Sequence, residues 1–333
     1  MKYRKLGKSG PMVSALGLGC MGISEFYGPT DEKTGIEVIE RAHENGINFF
    51  DTADMYGKGA NEELLGKAIT SFRKDIVLAT KCSLERIGET TQINNDPSYI
   101  QNACHASLKR LNVDVIDLYY LHRYTPKVPI EVSMQAMLDL ISEGKIRFVG
   151  LSEVDGEIVE RAHKVLGDKL IALQSEYSLV NRRSADVALS TCRKLGVAFV
   201  PFSPIARGLL SGKVKDSTTF AQSKAFDFRS ILPQFQPDAY KANMKLIEAV
   251  SSIAARKHCT PAQLSLAWLL AQGEDIIPIP GTKRLDYLLE NIQSIDLSLS
   301  EQELDELSLA MEENPVKGNR YPDKVLEVSY LKF

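Results

Sequence analysis

An α/β chain closing into one (β/α)8 TIM barrel is the fold this sequence predicts, on two observations. Short apolar runs alternate with longer amphipathic stretches along the 333 residues, the order expected of βα units that build a parallel sheet. Several runs also end on a polar residue: INFF on Asp51, IVLAT on Lys81, IDLYYL on His122, RFVGL on Ser152 and LIAL on Gln174. Polar groups at the carboxyl ends of successive strands are how such a barrel builds an active site.

The elements follow in order. Strands are expected at 15–19, 47–51, 76–80, 116–121, 147–151, 170–174, 197–201 and 276–279. Helices are expected near 31–45, 60–71, 97–110, 129–142, 155–166, 184–195, 237–257, 261–272 and 284–293. Several helix starts are written locally. Asp96-Pro97 reads as a cap followed by a helical proline. Thr260-Pro261-Ala262-Gln263 is a capping box with proline at the first helical position, and Ser300 with Glu303 is another, ahead of a helix near 301–312. Eight strands with their helices, in a chain above ~250 residues, fit one barrel. No linker, repeat or low-complexity stretch marks a second domain, so residues 1–333 are expected to form one.

Two segments break the rhythm. Arg207 to Gln236, after the seventh strand, is long and mixed, with Gly208, Gly212 and several Lys and Ser. Loops above ~15 residues are usually functional or disordered. The tail from Asn314 is rich in turn formers (NPVKGNRYPD) and reads equally as a surface wrap or as a flap over the barrel mouth.

Composition narrows the partners. Net charge is −3 with no basic cluster, which argues against nucleic acid. The five cysteines (Cys20, Cys82, Cys104, Cys192, Cys259) are scattered and form no CxxC, as expected in a reducing compartment, without disulfide frame or zinc site. MKYRKLGKSG lacks the apolar core of a signal peptide, and LSLAWLLAQ is too short to span a bilayer. The expectation is a soluble cytoplasmic protein that uses no metal and no membrane.

One motif misleads. Gly17, Gly19 and Gly22 match GxGxxG, but that fingerprint needs a helix opening at the glycines. Phe26-Tyr27-Gly28-Pro29 follows instead, and a helix can start only near Thr30. The glycines are read as a tight first βα turn that lets something approach the backbone.

The polar strand ends suggest proton chemistry at a carbonyl. Reduction needs hydride at carbon and a proton at oxygen. Tyr56, five residues past Asp51 in DTADMYG, has a phenol with an ordinary pKa of about 10, and a nearby ammonium such as Lys81 would lower it. Asp51 can hold Lys81 in place, and His122 can hydrogen-bond the substrate oxygen or relay the proton. No side chain donates hydride, so the scheme demands a reduced nicotinamide. Ser152 and Gln174 suit its carboxamide. Lys283 and Arg284, past an apolar strand and a glycine, read either as a solvated helix start or as an anion site favouring NADPH over NADH. Cations at a helix N-terminus oppose its dipole, and a bound phosphate would account for them.

The stretches GLGCMGISEFYG, FFDTADMYG, ATK, LYYLHR, GLSEV, QSEYSL, PFSPIARGLLSGK and IPGTKRLDYLLEN carry a resemblance over essentially the whole chain. In order and spacing they resemble the aldo-keto reductase superfamily, and most of all the branch of pyridoxal and perakine reductases and potassium-channel β-subunit relatives. The resemblance implies Tyr56 as proton donor, Lys81 and Asp51 as its tuning pair, and His122 orienting the carbonyl. It implies a β-hairpin from the first residues closing the barrel floor, and NADPH extended across the rim. Met21 and Gly22 match its first-loop backbone contacts, Asp51 also reaches the cofactor, and Ser152 with Gln174 match the carboxamide ligands. Phe202 stands where an aromatic ring stacks on the nicotinamide. Ser203, Pro204, Ile205, Arg207, Gly208, Leu210 and Lys213 match the pyrophosphate region, and Gly281, Lys283, Arg284, Tyr287, Glu290 and Asn291 the adenosine end. Two positions depart from the pattern: Glu153 where members have Asn, and Tyr287 where relatives use Arg or Gln.

The expected function is NADPH-dependent reduction of an aldehyde or ketone. Phe26, Tyr27, Met55, Arg123, Tyr124 and Tyr321 are candidate pocket residues for an aromatic or moderately polar carbonyl. The alternatives are a redox-sensing regulatory subunit that binds NADPH with slow turnover, and metal-dependent hydrolysis, which no His/Asp cluster supports. A homo-oligomer is compatible with the sequence.

Overall fold

The computed structural model of the chain describes residues 1–333 apart from 25–26, 28–30, 89, 215 and 223–225. The chain opens with an antiparallel hairpin, β1 (Tyr3–Lys5) and β2 (Met12–Ser14). Leu6 and Val13 point into the barrel and pack with Phe49, Leu118, Tyr120 and Val200. Arg4 donates to the carbonyls of Leu270, Gly273 and Ile276 at 2.9, 2.7 and 2.6 Å, tying the hairpin to the last barrel strand.

The barrel strands are parallel. They begin with β3 (Leu18–Gly19), β4 (Phe49–Asp51) and β5 (Val77–Cys82). A second hairpin, β6 (Leu84–Ile87) and β7 (Thr90–Ile93), interrupts the sequence. Then come β8 (Ile116–Leu121), β9 (Ile146–Ser152), β10 (Leu170–Glu176) and β11 (Ala198–Phe202). Their spatial order from β3 to β11 follows the sequence, with the hairpin β6–β7 outside the sheet.

The expected strand at 276–279 closes the ring. Ile277 N donates to Phe199 O and Ile279 N to Pro201 O, both at 3.0 Å, while Gly17 N and Gly19 N donate to Pro278 O and Pro280 O at 2.9 and 3.2 Å. The two prolines lack N–H groups, and at these positions only their carbonyls are needed, facing β3. The same closure accounts for two glycines. A Cβ on Gly19 would lie 2.9 Å from Ile279 O, and one on Gly281 would lie 2.7 Å from Gly19 O. What approaches the backbone at Gly19 is therefore the eighth strand. Gly22 falls in a short 3-10 turn, Met21–Ile23, well before the first helix, so no dinucleotide fingerprint forms.

Around the sheet lie α1 (Glu32–Glu44), α2 (Ala60–Ile69), α3 (Pro97–Leu111), α4 (Ile130–Ser142), α5 (Gly156–Leu166), α6 (Arg183–Asp186), α7 (Leu189–Leu195), α8 (Pro237–Arg256), α9 (Pro261–Ala271), α10 (Leu285–Gln293), α11 (Glu301–Glu313) and α12 (Asp323–Val328). Their apolar stripes meet the outer faces of the strands. In α5 these are Ile158, Val159, Ala162 and Leu166, and the Asp155 carboxylate caps its start by accepting from Ile158 N at 3.1 Å. Both expected capping boxes form, at Thr260 with Gln263 and at Ser300 with Glu303. At α3, Pro97 takes the first turn but the Asp96 side chain makes no cap bond. The helix expected over 184–195 is split into α6 and α7. Among the described residues no helix is long and apolar enough to cross a membrane.

The segment after β11 is a chain of 3-10 turns (Ala206–Ser211, Ser217–Phe220, Phe228–Ile231, Pro233–Phe235). The tail takes the flap arrangement of the two readings. Tyr330 OH donates to Asp155 Oδ2 at 3.0 Å, and Arg320 pairs with Glu153 just beyond β9.

Candidate active site

The barrel gathers Asp51, Lys81, His122, Ser152 and Gln174 from the ends of its strands, with Tyr56 from the turn that follows β4. Lys81, fully buried, pairs with Asp51, donates to Thr52 O at 2.8 Å and lies 3.5 Å from Tyr56 OH. Gln174 Nε2 donates to the other Asp51 oxygen at 2.8 Å. The Tyr56 and His122 rings meet edge to face at 5.9 Å between centroids. Tyr56 opens a tight turn, Tyr56–Gly59, whose positive-φ glycines swing it back over the strand ends. His122 Nδ1 is buried with no hydrogen-bond partner among the described residues.

Burial sets the protonation states. It raises the Tyr56 phenol above its ordinary value, and the charge of Lys81 pulls back only in part. The lowering expected from Lys81 alone is therefore outweighed by desolvation. For Lys81 burial works against the charge, but Asp51 and Tyr56 outweigh it and the ammonium titrates above its usual range. Burial pushes the Asp51 carboxyl upward against the pull of Lys81 and Gln174. Burial, with Arg123 and Lys81 adding to it, holds His122 far below its usual value, so its imidazole is neutral at pH 7. A neutral ring can hydrogen-bond a substrate oxygen but is not an imidazolium acid.

Tyr56, Asp51, His122 and Gln174 line a cleft of about 1380 Å³. That exceeds the ~300–1,000 Å³ of a single small-ligand pocket and leaves room for a long ligand beside a small one. Its wall includes Met21, Gly22, Phe202, Ser203, Pro204, Ile205, Arg207, Gly208 and Lys213, then Gly281, Lys283, Arg284, Tyr287, Glu290 and Asn291. Tyr27, Met55, Arg123, Tyr124 and Tyr321 line it as well, while Phe26 lies outside the described residues.

Three expected residues sit behind the wall. Leu210 is fully buried in the helix-side core, which leaves only its backbone to meet a ligand. Ser152 is buried with its Oγ accepting from Arg123 Nη1 at 3.1 Å, and Lys81 is screened by Tyr56 and Asp51. Arg284 stands at the N-cap of α10, paired with Asp286 and stacked over Tyr287, while Lys283 donates to Tyr27 O at 2.7 Å. Arg207 is held under the tail by Tyr321 OH at 2.9 Å and by Glu176 at 3.7 Å. Lys213 reaches across to Glu290 at 2.5 Å and over the Tyr287 ring.

The sequence reading did not assign the second hairpin to the site, yet Leu84, Thr91, Gln92 and Ile93 form part of its wall. Its one sequence signal is Gly88 between LERI and ETTQI, at φ +63°. Lys324, Tyr330 and Lys332 of the tail were missed too.

The sequence pattern described as the Aldo/keto reductase family matches residues 15–311. The chain belongs to that family. Relatives are similar over nearly full length. The aldo-keto reductase yakc [NADP(+)] of Schizosaccharomyces pombe is 41% identical over 324 residues, covering 96% of this chain and 94% of that protein. A probable aldo-keto reductase 1 of Glycine max is 41% identical over 322 residues, 95% of this chain and 91% of its own. Among solved structures, the thermostable aldo-keto reductase Tm1743 in complex with the inhibitor epalrestat superposes at a TM-score of 0.73 with 30% identity, covering 93% of this chain and 100% of that one. The glycerol dehydrogenase of Gluconobacter oxydans reaches 0.84 at 24% identity over 95% of this chain and 97% of its own, a likeness of fold. Among aldo-keto reductases, this chain thus keeps the (β/α)8 barrel with its polar strand ends gathered on one rim.

Proposed function

We propose that this aldo-keto reductase reduces an aldehyde or ketone to the alcohol with NADPH, as one domain spanning residues 1–333 and working in the cytoplasm. The observation that carries the reading is the Asp51–Lys81 pair set beside the Tyr56 hydroxyl in the wall of a cleft large enough for a dinucleotide. The fit to NADPH rests on what lines that cleft: the ring of Phe202 and the cations Arg207, Lys213, Lys283 and Arg284. When bound, NADPH supplies the hydride. Met21 and Gly22 offer backbone, Gln174 suits the carboxamide with Ser152 behind the wall, Phe202 gives a stacking face, and residues 203–213 would flank the pyrophosphate. Tyr56 gives its proton to the carbonyl oxygen as charge develops there, and Lys81 steadies the phenolate left behind. Neutral His122 orients that oxygen. Steady-state NADPH consumption with a panel of aldehydes tests this. Tight NADPH binding without turnover would instead favour a redox-sensing subunit.

Cofactor choice gives a second expectation. Lys283 and Arg284 both line the cleft, where a 2′-phosphate could accept from both. Replacing both with Met should weaken NADPH by roughly tenfold or more and leave NADH nearly unaffected, since charge-assisted hydrogen bonds contribute about 1.5–3 kcal/mol each. Equal wild-type affinity for the two cofactors would remove the assignment.

The segment after β11 gives a third. Its contacts to the tail and to Glu290 lie beside the proposed pyrophosphate seat, so NADPH should slow amide exchange over 206–214 and 226–236. Binding that orders a segment makes its reopening a candidate for the slow step. Unchanged exchange in both stretches would show that the segment does not close on the cofactor.

A further inference from the structure

Several cations in and behind the cleft wall are neutralised by carboxylates. Lys81 has Asp51, Arg207 has Glu176, Arg229 has Asp227 and Arg320 has Glu153. Arg123, partly buried and directly after His122, has none among the described residues. Its Nη1 donates to two neutral acceptors, His122 O at 2.7 Å and Ser152 Oγ at 3.1 Å. No hydrogen bond among the described residues uses its Nε–Nη2 edge, the edge whose parallel N–H groups match a carboxylate.

The position is also rigid. Arg123 N donates to Ser83 Oγ at 2.8 Å, and Arg123 O accepts from Ser83 Oγ at 3.0 Å and from Asn95 Nδ2 at 2.9 Å. A guanidinium fixed by its backbone, and held back by one nitrogen, is pre-organised to receive something. Its charge reaches both reacting-end groups, since it depresses the pKa of Tyr56 and of His122. A cleft-lining guanidinium edge without a protein partner can be matched by the carboxylate of a ligand.

We infer that the physiological carbonyl substrate carries a carboxylate a few atoms from its carbonyl, seated on the Nε–Nη2 edge of Arg123. The inference rests on the reductase reading above and names its substrate class, an aldehyde or ketone acid. The outer mouth agrees in sign: exposed Lys127, Lys324 and Lys332 face it against Glu327. These lysines would raise the local concentration of an anion, while Arg123 would fix its orientation.

The test compares 4-oxobutanoate with its methyl ester, using wild-type enzyme and NADPH. The expected result is a kcat/KM for the acid roughly tenfold or more above the ester, the size of one charge-assisted pair. Arg123→Leu should collapse that ratio toward one, and Arg123→Lys should keep part of it. Equal kcat/KM for acid and ester in the wild type overturns the inference. Turnover of neither compound would count against the reductase reading, and calorimetry then judges the anion seat separately. Wild-type protein should bind 4-hydroxybutanoate more tightly than 4-hydroxybutanamide, and equal binding overturns the seat whatever the turnover.

Discussion

Replacing Tyr56 with Phe should cut kcat by roughly 10²-fold or more and leave NADPH affinity within about twofold, because only proton donation in the transition state is lost. The substitution is clean on structural grounds. Tyr56 is buried, and its ring packs edge to face on His122 at 5.9 Å, a contact that Phe keeps. One neighbour of the hydroxyl is Lys81 at 3.5 Å, and Lys81 keeps Asp51 and Thr52 O when the hydroxyl goes. A variant retaining more than about a tenth of kcat would exclude a general acid of the usual ~10²–10⁴ strength. The pH profile carries the same argument. Burial holds the Tyr56 phenol above its ordinary value, so the proton to be donated is present at neutral pH. The reductive kcat should therefore be level from about pH 6 to 9 and fall only on the alkaline side, as the donor is lost.

That profile differs from what the residues suggest when read as a list. Beside Lys81, a tyrosine reads as acidified. Only the fold shows that both groups are buried together, and for the phenol burial outweighs the neighbouring charge. The barrel itself was legible because its signals are local: apolar runs of strand length, capping boxes at Thr260 and Ser300, and polar residues closing successive runs. Even the eighth strand was legible, since an apolar run with prolines remains readable when its carbonyls do the bonding. The hairpin at 84–93 was not. Its residues are half-buried or exposed, so it carries no apolar alternation that a sequence reading could use. The tail stayed undecided for a different reason. What holds it is ionic and far apart in sequence, as between Arg320 and Glu176, 144 positions away. Glu153 shows the same limit. It departs from the family's Asn and sits at φ +57°, a region that Asn tolerates better than Glu. The reason for Glu there is its partner in the tail.

Arg320→Ala should therefore be among the most destabilising single changes in the chain, by about 3–5 kcal/mol, the usual cost of removing one member of a buried ion pair. Arg320 is 5% exposed, with Glu153 at 3% and Glu176 at 2%. Its Nη1 lies 2.5 Å from Glu153 Oε2 and 3.5 Å from Glu176 Oε2, and its Nε donates to Phe333 O at 2.6 Å. Removing the guanidinium leaves two buried carboxylates with, among the described residues, only Arg207 as a cation near them, 3.7 Å from Glu176. Denaturant unfolding at neutral pH reads the loss directly. The carboxylates are the source of the penalty, so neutralising them should recover part of it: Arg320→Met with Glu153→Gln and Glu176→Gln should be more stable than Arg320→Ala. The tail should loosen in step. Tyr321 sits next to Arg320 in the tail and accepts from Arg207 in the cleft wall, so KM for the carbonyl substrate should rise more than kcat falls. A loss under about 1 kcal/mol, the size of a solvated surface pair, would mean that the cluster is wet and that the tail is held by its apolar contacts instead.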